Sequence, residues 1–198
     1  MVRVSDQGDG ALSVLANAGV GARRTLKPGR ETGNVIFDAQ RAWFWITVVG
    51  AGPVDELVGV QPREGRLAQR WPLPGCESAH GLRLAPNARS AFIACESNQR
   101  LLQIDLETGQ VLATLATGAD PDVLGIDPGL GWLYVAAESG DLVVFDIRNP
   151  VAATMGHDRP GPSSHSVAVD PASHQLFFPL KSGPKGKPVL RIMKPTGA

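Results

Sequence analysis

The chain has 198 residues, a length typical of one domain (residues 1–198), and its 43% hydrophobic and 19% charged residues are ordinary for a globular protein with a sizeable core. Nineteen basic residues balance nineteen acidic ones, so the charge gives no reason to expect a nucleic acid or an anionic membrane as a partner. No apolar run approaches the ~20 residues that span a bilayer, and 23 Gly with 16 Pro leave few windows for helices, which favours an all-β fold.

Three short strands are predicted at the start of the chain. Residues 2–5 and 11–15 are predicted as strands joined by a Gly-rich turn, and residues 22–26 as a third strand. By comparison with the units that follow, these three strands correspond to the second, third and fourth strands of a repeated unit. Residues 1–28 are therefore interpreted as a partial unit.

Four further segments align with one another without gaps over sixteen positions, beginning at residues 33, 80, 122 and 165. Large apolar residues recur two and four positions into each segment and predict its innermost strand: Val35, Phe37, Leu82, Leu84, Leu124, Ile126, Val167 and Val169. An aromatic residue recurs twelve positions in and is expected between units in the core: Trp45, Phe92, Tyr134 and Phe177.

Each unit is predicted to contain four strands. The alternating inner strand is followed by a turn with Asp or Pro, a mostly apolar second strand, and an alternating third strand such as residues 142–146. After a Gly turn at residues 107–110, a fourth strand is predicted at residues 111–115. Four strands in roughly 42 residues is the period of a β-propeller blade. A β-sandwich needs no such repetition and a β-solenoid has a shorter period, so a β-propeller is predicted. The predicted strands number eighteen, or about four and a half blades.

One stretch also resembles a known repeat. Residues 132–146, with Tyr134-Val135-Ala136-Ala137 at the core of the second strand, resemble the YVTN-type bacterial β-propeller repeat. Residues 107–111 are similar to that family's turn, and residues 118–122 to its lead into the inner strand. The resemblance implies a propeller scaffold and a periplasmic or secreted location, but it indicates neither an activity nor a ligand.

The predicted blades are fewer than the seven that the resemblance implies. An incomplete propeller leaves apolar faces and strand edges in water, which promotes association. We therefore expect a fragment of a longer protein, and the alternatives are self-association through exposed blade edges or an open arc or small distorted propeller. The N-terminus lacks an apolar stretch of signal-peptide length, which favours a fragment and leaves a cytoplasmic location open for the chain as written.

Propeller topology predicts where polar residues meet. The inner strands begin, and the second strands end, on one face around the axis, which we call the channel mouth. His80, Asp122 and His165 take equivalent first positions there and are predicted to hold a divalent metal, since imidazole and carboxylate suit zinc and similar ions. The favoured alternative is that the two histidines only cap their strands. The predicted ligand-binding residues are His80, Asp122, His165, Glu77, Glu96, Asn98 and Glu138.

The remaining histidines and the two cysteines are not among the predicted metal ligands. His157 and His174 are predicted in exposed loops away from the channel mouth. Cys76 and Cys95 are both predicted on the face that carries the mouth, where they form either a disulfide in an oxidising compartment or a pair of reduced thiols.

No catalytic motif is visible, so the predicted function is non-catalytic binding of a small molecule or a protein through the channel-mouth loops. The alternative follows from similarity to lactone-hydrolysing propellers, in which an axial divalent cation activates water. Glu96 or Glu138 would then act as base, with the metal on His80, Asp122 and His165. The propellers of haem-containing nitrite reductases are also similar, but no Cys-x-x-Cys-His motif supports a haem.

Overall fold

The computed structural model describes residues 2–15, 24–50, 54–61, 65–183 and 186–196. Positions 22 and 23 of the predicted third strand lie outside the described residues. The strands are β1 (Val2–Asp6), β2 (Ala11–Leu15), β3 (Arg24–Leu26), β4 (Glu31–Asp38), β5 (Trp43–Val49), β6 (Glu56–Gln61), β7 (Arg66–Pro72), β8 (Ala79–Leu84), β9 (Ser90–Cys95), β10 (Arg100–Asp105), β11 (Val111–Ala116), β12 (Pro121–Asp127), β13 (Trp132–Ala137), β14 (Leu142–Asp146), β15 (Ala153–Asp158), β16 (Ala168–Asp170), β17 (Gln175–Leu180) and β18 (Val189–Met193). A 3-10 turn, Glu96–Asn98, follows β9.

The strands form five antiparallel sheets, which are the blades of a β-propeller. The first blade is β1-β2-β3, the second β4-β5-β6-β7, the third β8-β9-β10-β11, the fourth β12-β13-β14-β15 and the fifth β16-β17-β18. The predicted all-β propeller of about four and a half blades is thereby confirmed. The described residues contain no helix long and apolar enough to cross a membrane.

The blades follow one another around a common axis. Inner strand β4 lies against β8, β8 against β12, and β12 against β16. β1 contacts β4 in the same way that the second strands β5 and β9 contact the inner strand of the following blade. The turn after β1 therefore lies at the start of β4, where the Thr32 hydroxyl donates a hydrogen bond of 2.9 Å to the Asp6 carbonyl.

The hydrophobic cores lie between blades. Trp45 and Leu57 of the second blade pack with Ile93 and Leu102 of the third. The third and fourth blades share a cluster that contains Phe92, the fourth and fifth share one that contains Tyr134 and Phe178, and the first and second share one around Leu12 and Ile46. The second, third and fourth blades thus each contribute one face to the cluster shared with the preceding blade and the other face to the cluster shared with the following blade.

The recurring aromatic position behaves as predicted in three units and differently in the fourth. Trp45, Phe92 and Tyr134 are buried, each facing the blade that follows it. Phe177 is only half-buried, and the prediction for it is wrong. Successive residues of a strand face opposite sides, so Leu176 and Phe178 face the fourth blade instead, and the described residues form no sheet on the other side of Phe177.

The turns opposite the channel mouth are organised by aspartates at the ends of inner strands. The Oδ1 atom of Asp38 accepts backbone hydrogen bonds from Gln40 and Arg41, and that of Asp127 accepts them from the first residues of the next turn. Burial alone would raise the pKa of Asp38, but hydrogen bonds from Arg41 and Trp45 outweigh it and hold this pKa below its usual value. These carboxylates accept hydrogen bonds from the backbone NH groups of the turn, in the place of a backbone carbonyl.

One of the two remaining histidines lies in a strand and the other has a partner. His157 is exposed as expected, but it belongs to strand β15, which continues to Asp158. His174 lies in the turn after β16, as predicted, but it is half-buried, and its Nδ1 lies 2.7 Å from Oδ2 of the buried Asp127. This contact joins the fourth and fifth blades across a sequence distance that no local pattern reveals.

Gly81 determines how closely the third and fourth blades approach. A Cβ at this position would lie 2.1 Å from the Asp122 carbonyl oxygen and 2.6 Å from Cδ1 of Leu124. We expect Gly81→Ala to lower the free energy of unfolding by about 1–3 kcal/mol, as overpacking does, in urea unfolding followed by fluorescence. Gly156→Ala is the matched control, because a Cβ there meets nothing within 4 Å. Equal unfolding midpoints for the two variants would contradict this close packing.

Candidate functional site

Five acidic and imidazole side chains meet where the inner strands begin. We call them the channel-mouth cluster: His80, Glu96, Asp122, Glu138 and His165. His80 lies in β8 and Asp122 in β12, whereas Glu96 and Glu138 directly follow the second strands β9 and β13. The pairing register shifts between Ala79 and Leu82 and again between Pro121 and Val123. Such irregularities change the direction of side chains. They explain why the side chains of His80 and Asp122 depart from the regular alternation between the two faces of their sheets.

Each histidine of the cluster lies between two carboxylates. His80 Nδ1 is 3.4 Å from Glu96 Oε1, and its Nε2 is 3.8 Å from Asp122 Oδ1. His165 Nδ1 is 2.5 Å from Glu138 Oε1 and 3.9 Å from Asp122 Oδ2. The two oxygens of Asp122 therefore face different histidines.

The potential ligand atoms fall into two overlapping groups of three. One trio is His80, Glu96 and Asp122, and the other is Asp122, Glu138 and His165, with the ligand atoms of each trio within 4.8 Å of one another. His80, Asp122 and His165 do not form a trio of this kind among the described residues. The two histidines instead lie on either side of Asp122, and each is accompanied by its own glutamate.

Negative charge accumulates in the cluster. Burial raises the pKa of Glu96 above its usual value; the neighbouring His80 opposes this rise, while the charges of Asp122, Asp120 and Glu31 add to it. In the part of the chain that the structure describes, the ion pairs of the three cluster carboxylates are with histidines and none is with Lys or Arg. The cluster is therefore suited to a cation.

Two other predicted ligand-binding residues make hydrogen bonds within the loops around the channel mouth. Glu77 is exposed, and its carbonyl accepts a backbone hydrogen bond of 3.1 Å from Ser97. The Asn98 side-chain amide donates a hydrogen bond of 2.9 Å to the Gly75 carbonyl. Neither side chain joins a trio.

A disulfide joins the segments that carry the first trio. Cys76 and Cys95 are bonded, with their Cα atoms 5.2 Å apart, and both are buried. Cys76 lies in the connection that leads to His80, and Cys95 directly precedes Glu96. The covalent link therefore restrains the segments that carry two of the three side chains of this trio, His80 and Glu96. The second trio contains no corresponding cysteine pair, since the described cysteines are both in this bond.

Two residues that position His80 were not predicted from the sequence. The buried Thr47 hydroxyl donates a hydrogen bond of 2.8 Å to the His80 carbonyl. The buried Asp55 carboxylate accepts one of 2.9 Å from the Ala79 backbone NH. A polar residue inside the otherwise apolar strand β5 is the only sequence signal for Thr47.

Comparisons with known proteins support the fold. No family model and no curated protein sequence matches the chain. Among solved structures, a candidate 6-phosphogluconolactonase from Bacteroides fragilis has a TM-score of 0.75 at 11% identity over 96% of this chain and 62% of its own. One from Bacteroides uniformis has 0.66 at 17% identity over 96% and 67%. Hydrazine synthase from Kuenenia stuttgartiensis has 0.66 at 12% identity over 81% and 45%.

These similarities support the fold and no particular function. All three are below 25% identity and therefore show a shared β-propeller fold alone. The chain spans between 45% and 67% of the length of these neighbours. The fold to which the chain belongs is that of the β-propellers.

Proposed function

We propose that this protein is a binding propeller that holds a divalent transition-metal cation at its channel mouth and captures a ligand through that cation. The observation that carries the proposal is the pair of trios around Asp122, in which imidazole and carboxylate atoms lie within 4.8 Å of one another. Zinc and similar ions take these ligand types. Structural capping of strands by the histidines alone does not require a second carboxylate beside each of them.

The charges favour a cation over an anionic ligand. Three carboxylates face two imidazoles, and the ion pairs described for these carboxylates include no Lys or Arg. A metal held by three protein groups keeps a coordination position open. That position would accept an oxygen or nitrogen donor of a small molecule or of a partner protein, which makes the ion the point of ligand attachment.

Titration with metal ions tests this proposal. We expect heat of binding with zinc and manganese in isothermal calorimetry, and at least a tenfold weaker affinity in the His80→Ala, His165→Ala double variant, which loses one imidazole from each trio. His157→Ala is the matched control, because His157 is exposed on strand β15 outside the trios. The absence of heat beyond dilution, or equal affinities for the double variant and the wild type, would leave strand capping as the role of these histidines.

Lactone hydrolysis is a second candidate function, favoured by the fold shared with two candidate 6-phosphogluconolactonases. A metal on the cluster would polarise the lactone carbonyl, and Glu138, whose side chain is 49% exposed beside His165, is the better placed of the two predicted bases. With one divalent cation the three carboxylates keep a net negative charge, which disfavours a phosphorylated lactone and makes an uncharged lactone the suitable substrate. Turnover of such a lactone by the metal-loaded protein separates hydrolysis from binding.

We also propose that the protein works in an oxidising compartment, either the periplasm or the extracellular space. The bonded pair Cys76 and Cys95 supports this location, since disulfides persist there and are rare in the cytosol. The segment Tyr134–Ala137 supports assignment of the blades to the YVTN type.

A further inference from the structure

We propose that the channel mouth binds two divalent cations, one in each trio, with Asp122 as the carboxylate that bridges them. This inference rests on the proposed function and makes it more specific, since a single ion would need only one trio. The first cation would lie among His80, Glu96 and Asp122, and the second among Asp122, Glu138 and His165.

The orientation of Asp122 is the main geometric argument. Its Oδ1 lies 3.8 Å from His80 Nε2, and its Oδ2 lies 3.9 Å from His165 Nδ1. A carboxylate whose two oxygens face different imidazoles can give one oxygen to each of two ions. Paired ions in proteins lie about 3.5–4 Å apart, a separation that one bridging carboxylate can span.

The repeat explains why the site occurs twice. Each trio consists of the first residue of an aligned segment, the residue just after its second strand, and the first residue of the next segment. His80, Glu96 and Asp122 fill these positions for the third blade, and Asp122, Glu138 and His165 fill them for the fourth. One trio is therefore the other moved by one blade, and Asp122 belongs to both.

The same rule limits the number of sites in the described chain. By their place in the aligned segment, the equivalent residues of the second blade are Gly33 and Val49, the last residue of β5, and neither offers a ligand atom beside His80. In the fifth blade, Lys181 follows the second strand where the third and fourth blades have a glutamate. The pattern of acidic and imidazole residues therefore allows one site at the junction of the third and fourth blades and one at that of the fourth and fifth.

The number of available ligands also favours two ions over one. One divalent cation in either trio would leave the histidine and the glutamate of the other trio without a cation. Two ions use all five side chains. The competing arrangement is a metal-free chain of ion pairs, in which each imidazole lies between two carboxylates.

The stoichiometry of metal binding tests the inference on the whole chain. Zinc is measured by equilibrium dialysis, and manganese by electron paramagnetic resonance, in which two bridged ions give a coupled spectrum. We expect two ions per chain in the wild type, one in Glu96→Gln and one in Glu138→Gln. Asp122→Asn is expected to weaken both sites at least tenfold and to abolish the coupled signal.

Matched controls and outcomes separate this inference from the proposed function. Asp158→Asn, on the exposed part of β15, should keep two ions, and circular dichroism should show that every variant is folded. One ion in the wild type, lost in only one glutamate variant, would overturn the bridged pair and leave the proposed function intact. Two uncoupled ions that persist in Asp122→Asn would also overturn the bridge. No bound metal would overturn both proposals.

Discussion

Replacing Phe92 by alanine is expected to lower the free energy of unfolding by about 3–5 kcal/mol. The Phe92 ring is 1% exposed and packs in the cluster that joins the third and fourth blades, near Val135 and Phe145. Its removal leaves a cavity between two sheets whose backbones already touch at Gly81, so the sheets cannot close over it. Urea unfolding followed by tryptophan fluorescence measures the change in stability.

Phe177→Ala is the matched control for this variant, because Phe177 holds the same repeat position and is only half-buried. Its replacement is expected to cost about 1 kcal/mol, as for an average substitution. Similar losses for the two variants, or a loss below about 1 kcal/mol for Phe92→Ala, would mean that the second strands do not bury this position between the blades.

Removing the disulfide is expected to destabilise the protein by about 2–4 kcal/mol, a typical contribution of such a bond. The Cys76→Ser, Cys95→Ser double variant should also bind the cation of the first trio more weakly, because the bond ties the connection before His80 to the residue before Glu96. The second trio should keep its affinity, since neither segment contributes to it. Thermal unfolding and zinc dialysis measure the two effects.

Reductant provides the control for the disulfide prediction. Adding it should lower the unfolding temperature of the wild type and leave that of the double-serine variant unchanged. An equal loss of zinc from both trios would show that the bond acts on the whole fold rather than on the segments of the first trio. An unchanged stability would show that hydrogen bonds such as Asn98 to Gly75 already hold this loop.

Much of the fold could be predicted because the repeat aligns equivalent strands. The third strand at residues 142–146 has the same bounds in the sequence prediction and in the structure. The alignment could not show that Phe177 faces no following blade among the described residues, because burial depends on the next blade and not on the residue type. The Asp127 and His174 contact was equally hidden, since it joins residues of different blades.

The sequence predicts on which face the candidate site lies, but not which of its side chains come together. Topology predicts that His80, Asp122 and His165 share a face, and all three belong to the channel-mouth cluster. The register shifts at the starts of β8 and β12 decide which side chains then meet, and those shifts have no sequence signal. Glu96 and Glu138 were predicted as ligand-binding residues and, for the alternative function, as bases; in the structure each is the third member of a trio. Thr47 and Asp55 act through backbone atoms of the next blade, which local patterns do not show.

The location of the hydrophobic clusters between blades has a consequence for cooperativity. A single excised blade would expose both apolar faces, so burial of any apolar face requires at least two neighbouring blades. Stability is then expected to be approximately a sum of blade terms and nearest-neighbour couplings, as in other repeat proteins. The trios span the same junctions, the first between the third and fourth blades and the second between the fourth and fifth. A cation that binds only the folded junction would strengthen that coupling by mass action, so occupancy at the mouth would determine which blades unfold together.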